Sequence, residues 1–298
     1  MSAARVGARK AAPLIAASLI TLTVAVFGSP GEQTQLWMLT TGIAAGLPHG
    51  ALDVLTAEAS LKPGLGQRWR QFFIAAYLGA VLLIVAFWVI APGFALTGLL
   101  TLASFHFGEG FAHVGPMRPL RTLAHGLAPI VIPALAHPGA VASAFALLAG
   151  NADAGLIVEM LAGPIALAWL AGMFGAVLAG DPIIDLAATA LVFVALPPLA
   201  AFAVYFAGLH GPRAITEIAR VRGCSARDVF KIAAPFVALA IGLIALGYAV
   251  TSMALAPSPA LVRALFIGLA ALAVPHLALG WIAAPAFAPG PLRAKVAA

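Results

Sequence analysis

Long apolar runs closed by small groups of basic residues organise this chain, and their lengths predict membrane-spanning helices. Arg5, Arg9 and Lys10 precede an apolar run from about residue 11 to 27. Further runs cover roughly 35–58, 70–91, 94–113, 155–179, 183–210, 229–251 and 260–285. Each is long enough for a hydrocarbon core of about 30 Å. Backbone amides and carbonyls find no partner in lipid outside a helix or a closed barrel, so all of these runs are expected to be helical. A further piece, about 120–150, is interrupted by Pro129, Pro133 and Pro138. The first run is followed by Gly28-Ser29-Pro30-Gly31 and no small-x-small cleavage site, so it is expected to stay as a span.

Charge placement constrains how the runs cross. Lys62, Arg68 and Arg70, then Arg118 and Arg121, then Arg213, Arg220, Arg222, Arg227 and Lys231 mark one side of the membrane, expected to be cytoplasmic together with both termini. The number of crossings between Arg121 and Arg213 must then be even, yet three apolar pieces lie there. The proline-broken piece at 120–150 is therefore expected to be re-entrant, because irregular backbone survives at membrane depth only when protein or a cavity surrounds it. The fold class expected is all-α: a polytopic helical membrane protein with about eight transmembrane helices plus that re-entrant element. The alternative is ten helices, with 120–150 as a tight pair. One integral domain, residues 1–298, in the cell inner membrane accounts for the whole sequence. The stretch 213–228 alternates polar and apolar residues and reads as an interfacial amphipathic helix.

Composition agrees. The 298 residues are 63% hydrophobic and 9% charged, too little polar surface to cover a soluble globule. The net charge of +6 sits at the ends of spans, which is a topology signal and excludes nucleic acid as the partner. The single cysteine, Cys224, excludes an internal disulfide and a cysteine-based metal cage.

The candidate chemistry is histidine. His49, His106, His210 and His276 lie within apolar runs that would all traverse in the same direction, each past the midpoint, so His49, His106 and His276 are expected at similar depth in the cytoplasmic half, with His210 a little nearer the surface. Neutral imidazoles converging in a membrane suit a metal site. In Gly46-Leu47-Pro48-His49-Gly50-Ala51-Leu52-Asp53, Asp53 lies one turn past His49, placed to orient an imidazole. Pro48 opens the backbone beside that histidine. Gly42, Gly46 and Gly50 repeat every four residues, a pattern expected for close helix packing. Glu109, three residues after His106, is a candidate for a role beside the metal or in an ion pair. His125 and His137 border the proline-broken piece and are expected to satisfy carbonyls that the prolines release; His113 sits at a span end.

Gly-Leu-Pro-His-Gly-Ala-Leu-Asp at 46–53, Ser104-Phe105-His106-Phe107-Gly108, His125-Gly126 with His137-Pro138, Tyr205-Phe206 leading to His210, and Pro275-His276 together resemble the Brp/Blh family. These are bacterial and archaeal membrane β-carotene 15,15′-dioxygenases that supply retinal to rhodopsins. The resemblance runs in order over about 46–280. It implies cleavage of the central double bond of β-carotene by O2, giving two retinals at a non-haem Fe(2+) bound by His49, His106 and His210. It further implies partners in the lipid bilayer, where the substrate dissolves, and a retinal-binding rhodopsin downstream. Where the family carries a further histidine, four residues after the third, this chain has His210-Gly211-Pro212-Arg213-Ala214. That leaves His276, or water, to complete the set.

Two other classes stay open on the residues alone. A carotenoid or retinal carrier would use the same apolar interior, with Ala214 as its signature. A proton-coupled transporter would need Asp53, Glu109, Glu159 and Asp185 along one water path.

Overall fold

The computed structural model describes residues 3–109, 117–180 and 184–287. Fourteen α-helices account for nearly all of them, and there is no strand among the described residues. His113 lies outside this set, and so does the side chain of His49.

Helix α1 (Ala3–Phe27) is followed by α2 (Glu32–Gly46), which runs through a 3-10 turn, Leu47–Leu52, into α3 (Asp53–Leu65). Next come α4 (Trp69–Ile90), α5 (Pro92–Glu109), α6 (Arg118–Ala136) and α7 (Pro138–Ala149). Helix α8 (Asn151–Met160) continues through a π-type turn at Gly163-Pro164 into α9 (Ala166–Leu178). Then follow α10 (Ile184–Ala195), α11 (Pro198–Tyr205), α12 (Gly211–Arg222), α13 (Ala226–Thr251) and α14 (Pro257–Phe287). Five helical stretches are long and apolar enough to cross a membrane, Arg118–Ala136, Ala226–Thr251 and Pro257–Trp281 among them. The outward faces are apolar, as a lipid-facing surface must be: Leu82, Leu83 and Val89 of α4 are exposed, as is Phe94 of α5.

Proline placement decides where helices begin. Pro92, Pro138, Pro198 and Pro257 each open a helix, where a missing amide proton costs nothing. Ser225 caps α13 through a reciprocal box with Asp228, the Asp228 amide donating to Ser225 Oγ and the Ser225 amide to Asp228 Oδ2.

Two segments differ from expectation. Pro129 and Pro133 do not interrupt the chain: α6 runs through both and ends at His137, before Pro138. Its residues from Ala124 to Ala134 are buried, and protein on every side lets a helix absorb the lost hydrogen bonds. The break falls instead inside 183–210, at Leu196-Pro197, where α10 ends and α11 turns back. Between Arg121 and Arg213, Arg118–Ala136 and Asn151–Leu178 are long and apolar enough to cross, and Pro138–Ala149 and Ile184–Ala195 are shorter apolar helices. Trp88 Nε1 donates to the Leu148 carbonyl at 3.0 Å, Arg263 to the Leu147 carbonyl at 3.3 Å. These contacts pin α7 at the end of the bundle remote from Arg68, Arg70, Arg118 and Arg121.

Small residues bring the helices together. A Cβ on Gly42 would stand 2.7 Å from Ala203 Cβ, and one on Gly46 would overlap the Phe206 ring, which locks α2 to α11. Gly126 lies against the Ser104 carbonyl and Gly108 against the Thr122 carbonyl, which locks α5 to α6. The glycine stripe of α2 therefore packs, as expected. Gly50 stands apart from it, 4.0 Å by its would-be Cβ from His276 Nδ1.

Candidate functional site

Three of the four histidines in apolar runs converge. His106 comes from the last turn of α5, His210 from a π-type turn, Phe206–His210, between α11 and α12, and His276 from the middle of α14. His106 Nε2 and His210 Nε2 are 3.1 Å apart. The His276 ring stands edge-on to His106, with centroids 5.3 Å apart. Helix α5 is held at this level by the Gly108 and Gly126 contacts with α6. The π-type turn follows from Pro212, which has no amide proton; the Gly211 amide reaches the Phe206 carbonyl and the turn widens. Widening at this point aims the His210 ring inward, where the His210 side chain is buried. Phe206 stacks on that ring and Phe107 meets it edge-on, with centroids at 5.6 and 4.9 Å.

Asp53 does orient an imidazole, and the imidazole is that of His276. Its Oδ1 is 2.6 Å from His276 Nδ1, so the proton sits on Nδ1 and Nε2 is left as a lone-pair donor. The carboxylate is itself held, because the Tyr77 hydroxyl lies 3.2 Å from Asp53 Oδ2 and 3.2 Å from the Leu272 carbonyl, one turn before His276. Tyr77 thus ties the start of α3 to the part of α14 that carries the histidine. Sequence reasoning missed it. The available signal was a phenol inside an apolar span, since such a hydroxyl requires a partner.

His49 occupies the 3-10 turn that leads to Asp53, and its backbone stands next to Gly50 at this site. Among the described residues no three His, Cys, Asp or Glu side chains close on one point. The donor set nevertheless fits a divalent ion. Two imidazole nitrogens bound side by side at about 2.0–2.1 Å from one ion stand about 3 Å apart, the separation that His106 and His210 have.

Other candidates fall elsewhere. Glu109 ends α5, exposed, with no contact to the cluster among the described residues. Asp185 pairs with Arg213 at 2.6 Å, tying α10 to α12. Glu159 is exposed on α8. The four carboxylates that a proton path would need are thus scattered. His137 Nε2 donates to the Val194 carbonyl at 3.1 Å, a carbonyl left free because Pro198 has no amide proton. It satisfies the backbone, as expected. His125 is buried within α6.

The cluster opens into an apolar cavity of about 520 Å³, whose walls come from α4, α5, α6, α7, α13, α14 and the turn at Leu47–Leu52. His106, His276, Asp53 and Tyr77 are its few polar groups. That is the composition of a site for a long hydrocarbon with a small reactive centre.

Comparison with known proteins agrees. The family described as beta-carotene 15,15′-dioxygenase matches residues 40–283. The beta-carotene 15,15′-dioxygenase of uncultured marine bacterium 66A03 is 26% identical over 244 residues, covering 78% of this chain and 88% of the relative. The probable beta-carotene 15,15′-dioxygenase Blh of Halobacterium salinarum is 27% identical over 217 residues, 62% of each chain. No solved structure matches. With the family match spanning most of the chain and enclosing every histidine of the cluster, this protein belongs to the β-carotene 15,15′-dioxygenase family, and is by that membership an oxidoreductase.

Proposed function

We propose that this chain cleaves the central double bond of β-carotene with O2 to give two molecules of retinal, at a ferrous ion held by His49, His106 and His210, with His276 in the place that Ala214 leaves open. The observation that carries the reading is the 3.1 Å approach of His106, which lines the apolar cavity, to the buried His210 behind it. Imidazole ligands suit ferrous iron and leave positions open, so the bound ion would supply activation of O2 beside the polyene. Each carbon of the severed bond takes one oxygen atom. O2 is the oxidant and the source of both atoms, and no outside reductant is needed.

The protein's own work is positional. Apolar walls draw a C40 hydrocarbon out of the bilayer and exclude water from the reacting bond. Phe206 and Phe107 fix the His210 ring, and the Tyr77–Asp53 pair fixes the tautomer and plane of His276. With the basic helix ends on the cytoplasmic side, the histidine level would fall in the cytoplasmic half of the inner membrane. Retinal would be released there for a retinal-binding protein such as a rhodopsin.

Expression in cells that accumulate β-carotene, with retinal measured by chromatography and iron measured on purified protein, tests this. Retinal with about one iron per chain is expected. Ala214 favours one second reading, a carotenoid carrier; iron-free protein that co-purifies with intact carotenoid and yields no retinal would establish it.

A further inference from the structure

The histidines stand toward one end of the cavity. Along α5 the lining runs from His106 back to Ala95, and along α14 from His276 back to Phe266. At about 1.5 Å per residue these two walls agree on a depth of about 15 Å. In the other direction along α4, Tyr77 marks the histidine level and the lining stops one turn on, at Phe73. The deep end is closed. Trp88 and Leu96 are 1% exposed there, and α7 lies across it, presenting Val141, Ala144, Phe145 and Leu148. These positions recur at the spacing of one helix face, and the bonds from Trp88 and Arg263 to the α7 backbone hold that face in place.

We infer that α7 is an end-stop that selects the bond to be cleaved. One ring-ended arm of the carotenoid stands against α7, and the fixed distance from that face to the histidines brings the central double bond, with twenty carbons of the substrate on its ring side, to the reacting centre. A depth of about 15 Å matches an extended half of a C40 polyene. The opposite side offers about one helical turn, too little for the second arm. That arm leaves sideways into lipid past α4. Ile74 and Leu78 of α4 flank Tyr77 at the histidine level, line the cavity and are exposed there. The enzyme therefore measures one arm only. It accepts C40 polyenes whose second end differs, provided the first carries the ring. This inference rests on the proposed cleavage reaction.

The test uses full-length protein with β-carotene, and with a C40 polyene ringed at one end and open-chain at the other. Ala144→Phe raises the floor and draws the severed bond toward the ring; Phe145→Ala lowers it. Each variant is expected to give unequal aldehydes, one shorter and one longer than retinal, with their ratio to retinal up about tenfold or more over wild type. The half-ringed substrate yields retinal from its ringed half. Retinal as the sole short aldehyde from both variants, at wild-type iron content and melting temperature, overturns the end-stop. If Ala144→Phe makes no product, Phe145→Ala alone decides by the same criterion. Failure of wild type to make retinal from β-carotene refutes the proposed reaction itself, a distinct outcome.

Discussion

His106 and His210, 104 residues apart in the chain, face each other Nε2 to Nε2 at 3.1 Å. An imidazole pair in a hydrocarbon interior is either one hydrogen bond or two adjacent ligands, and metal analysis separates these. His106→Ala and His210→Ala are each expected to bring iron in purified protein to background and retinal below detection. Melting temperature in detergent is measured alongside, because His210 is buried between Phe206 and Phe107. Iron retained in either variant would leave the pair as a simple hydrogen bond.

Ala214 can be tested by rescue. His276→Ala is expected to lower iron occupancy, and Ala214→His introduced into that variant is expected to restore it together with retinal formation. Residue 214 lies one helical turn beyond His210, so a histidine there would approach from the same side. If His276→Ala holds wild-type iron, His276 is not the substitute ligand.

Removing the supports of His276 should give graded effects. Asp53→Asn leaves Nδ1 a weaker acceptor and should reduce metal affinity by about 10–100-fold. Tyr77→Phe keeps the carboxylate but frees it to move, and should lose less. With cobalt as the probe, both variants are expected to change the visible absorption bands of the bound ion, a signature that a change in packing alone would not produce. An order reversed between them would contradict the Tyr77–Asp53–His276 chain of contacts.

Gly126→Ala tests the seam between α5 and α6. Its Cβ would overlap the Ser104 carbonyl, two residues from His106. The expected cost is about 1–3 kcal/mol, read as a lower melting temperature in detergent. Retinal formation should fall with it as α5 shifts. An Ala variant as stable as wild type would mean that the two helices are not in such contact.

Much of this was legible in the chain, for stated physical reasons. Apolar length revealed helices because lipid allows little else, and direction of traverse put His106 and His276 at a common depth, with His210 a little nearer the surface. The partner of Asp53 was not legible. One turn from His49 it pointed to a local contact, whereas the contact formed is with His276 on the last helix, and separation in sequence carries no trace of that. Prolines were informative only together with burial. Pro129 and Pro133 lie inside an unbroken helix surrounded by protein, whereas Pro197-Pro198 ends one. Both stretches are apolar, and the more apolar one is the one that breaks, so hydropathy alone could not choose between them.

The bond from Asp53 to His276 closes a span of 223 residues. A chain still emerging during synthesis possesses His106 and His210 long before α14 has entered the membrane, and in that state it lacks His276 and the lid that α14 puts over the cavity. The Asp53–His276 contact and the α14 wall of the cavity are thus complete only once the last helix is in place.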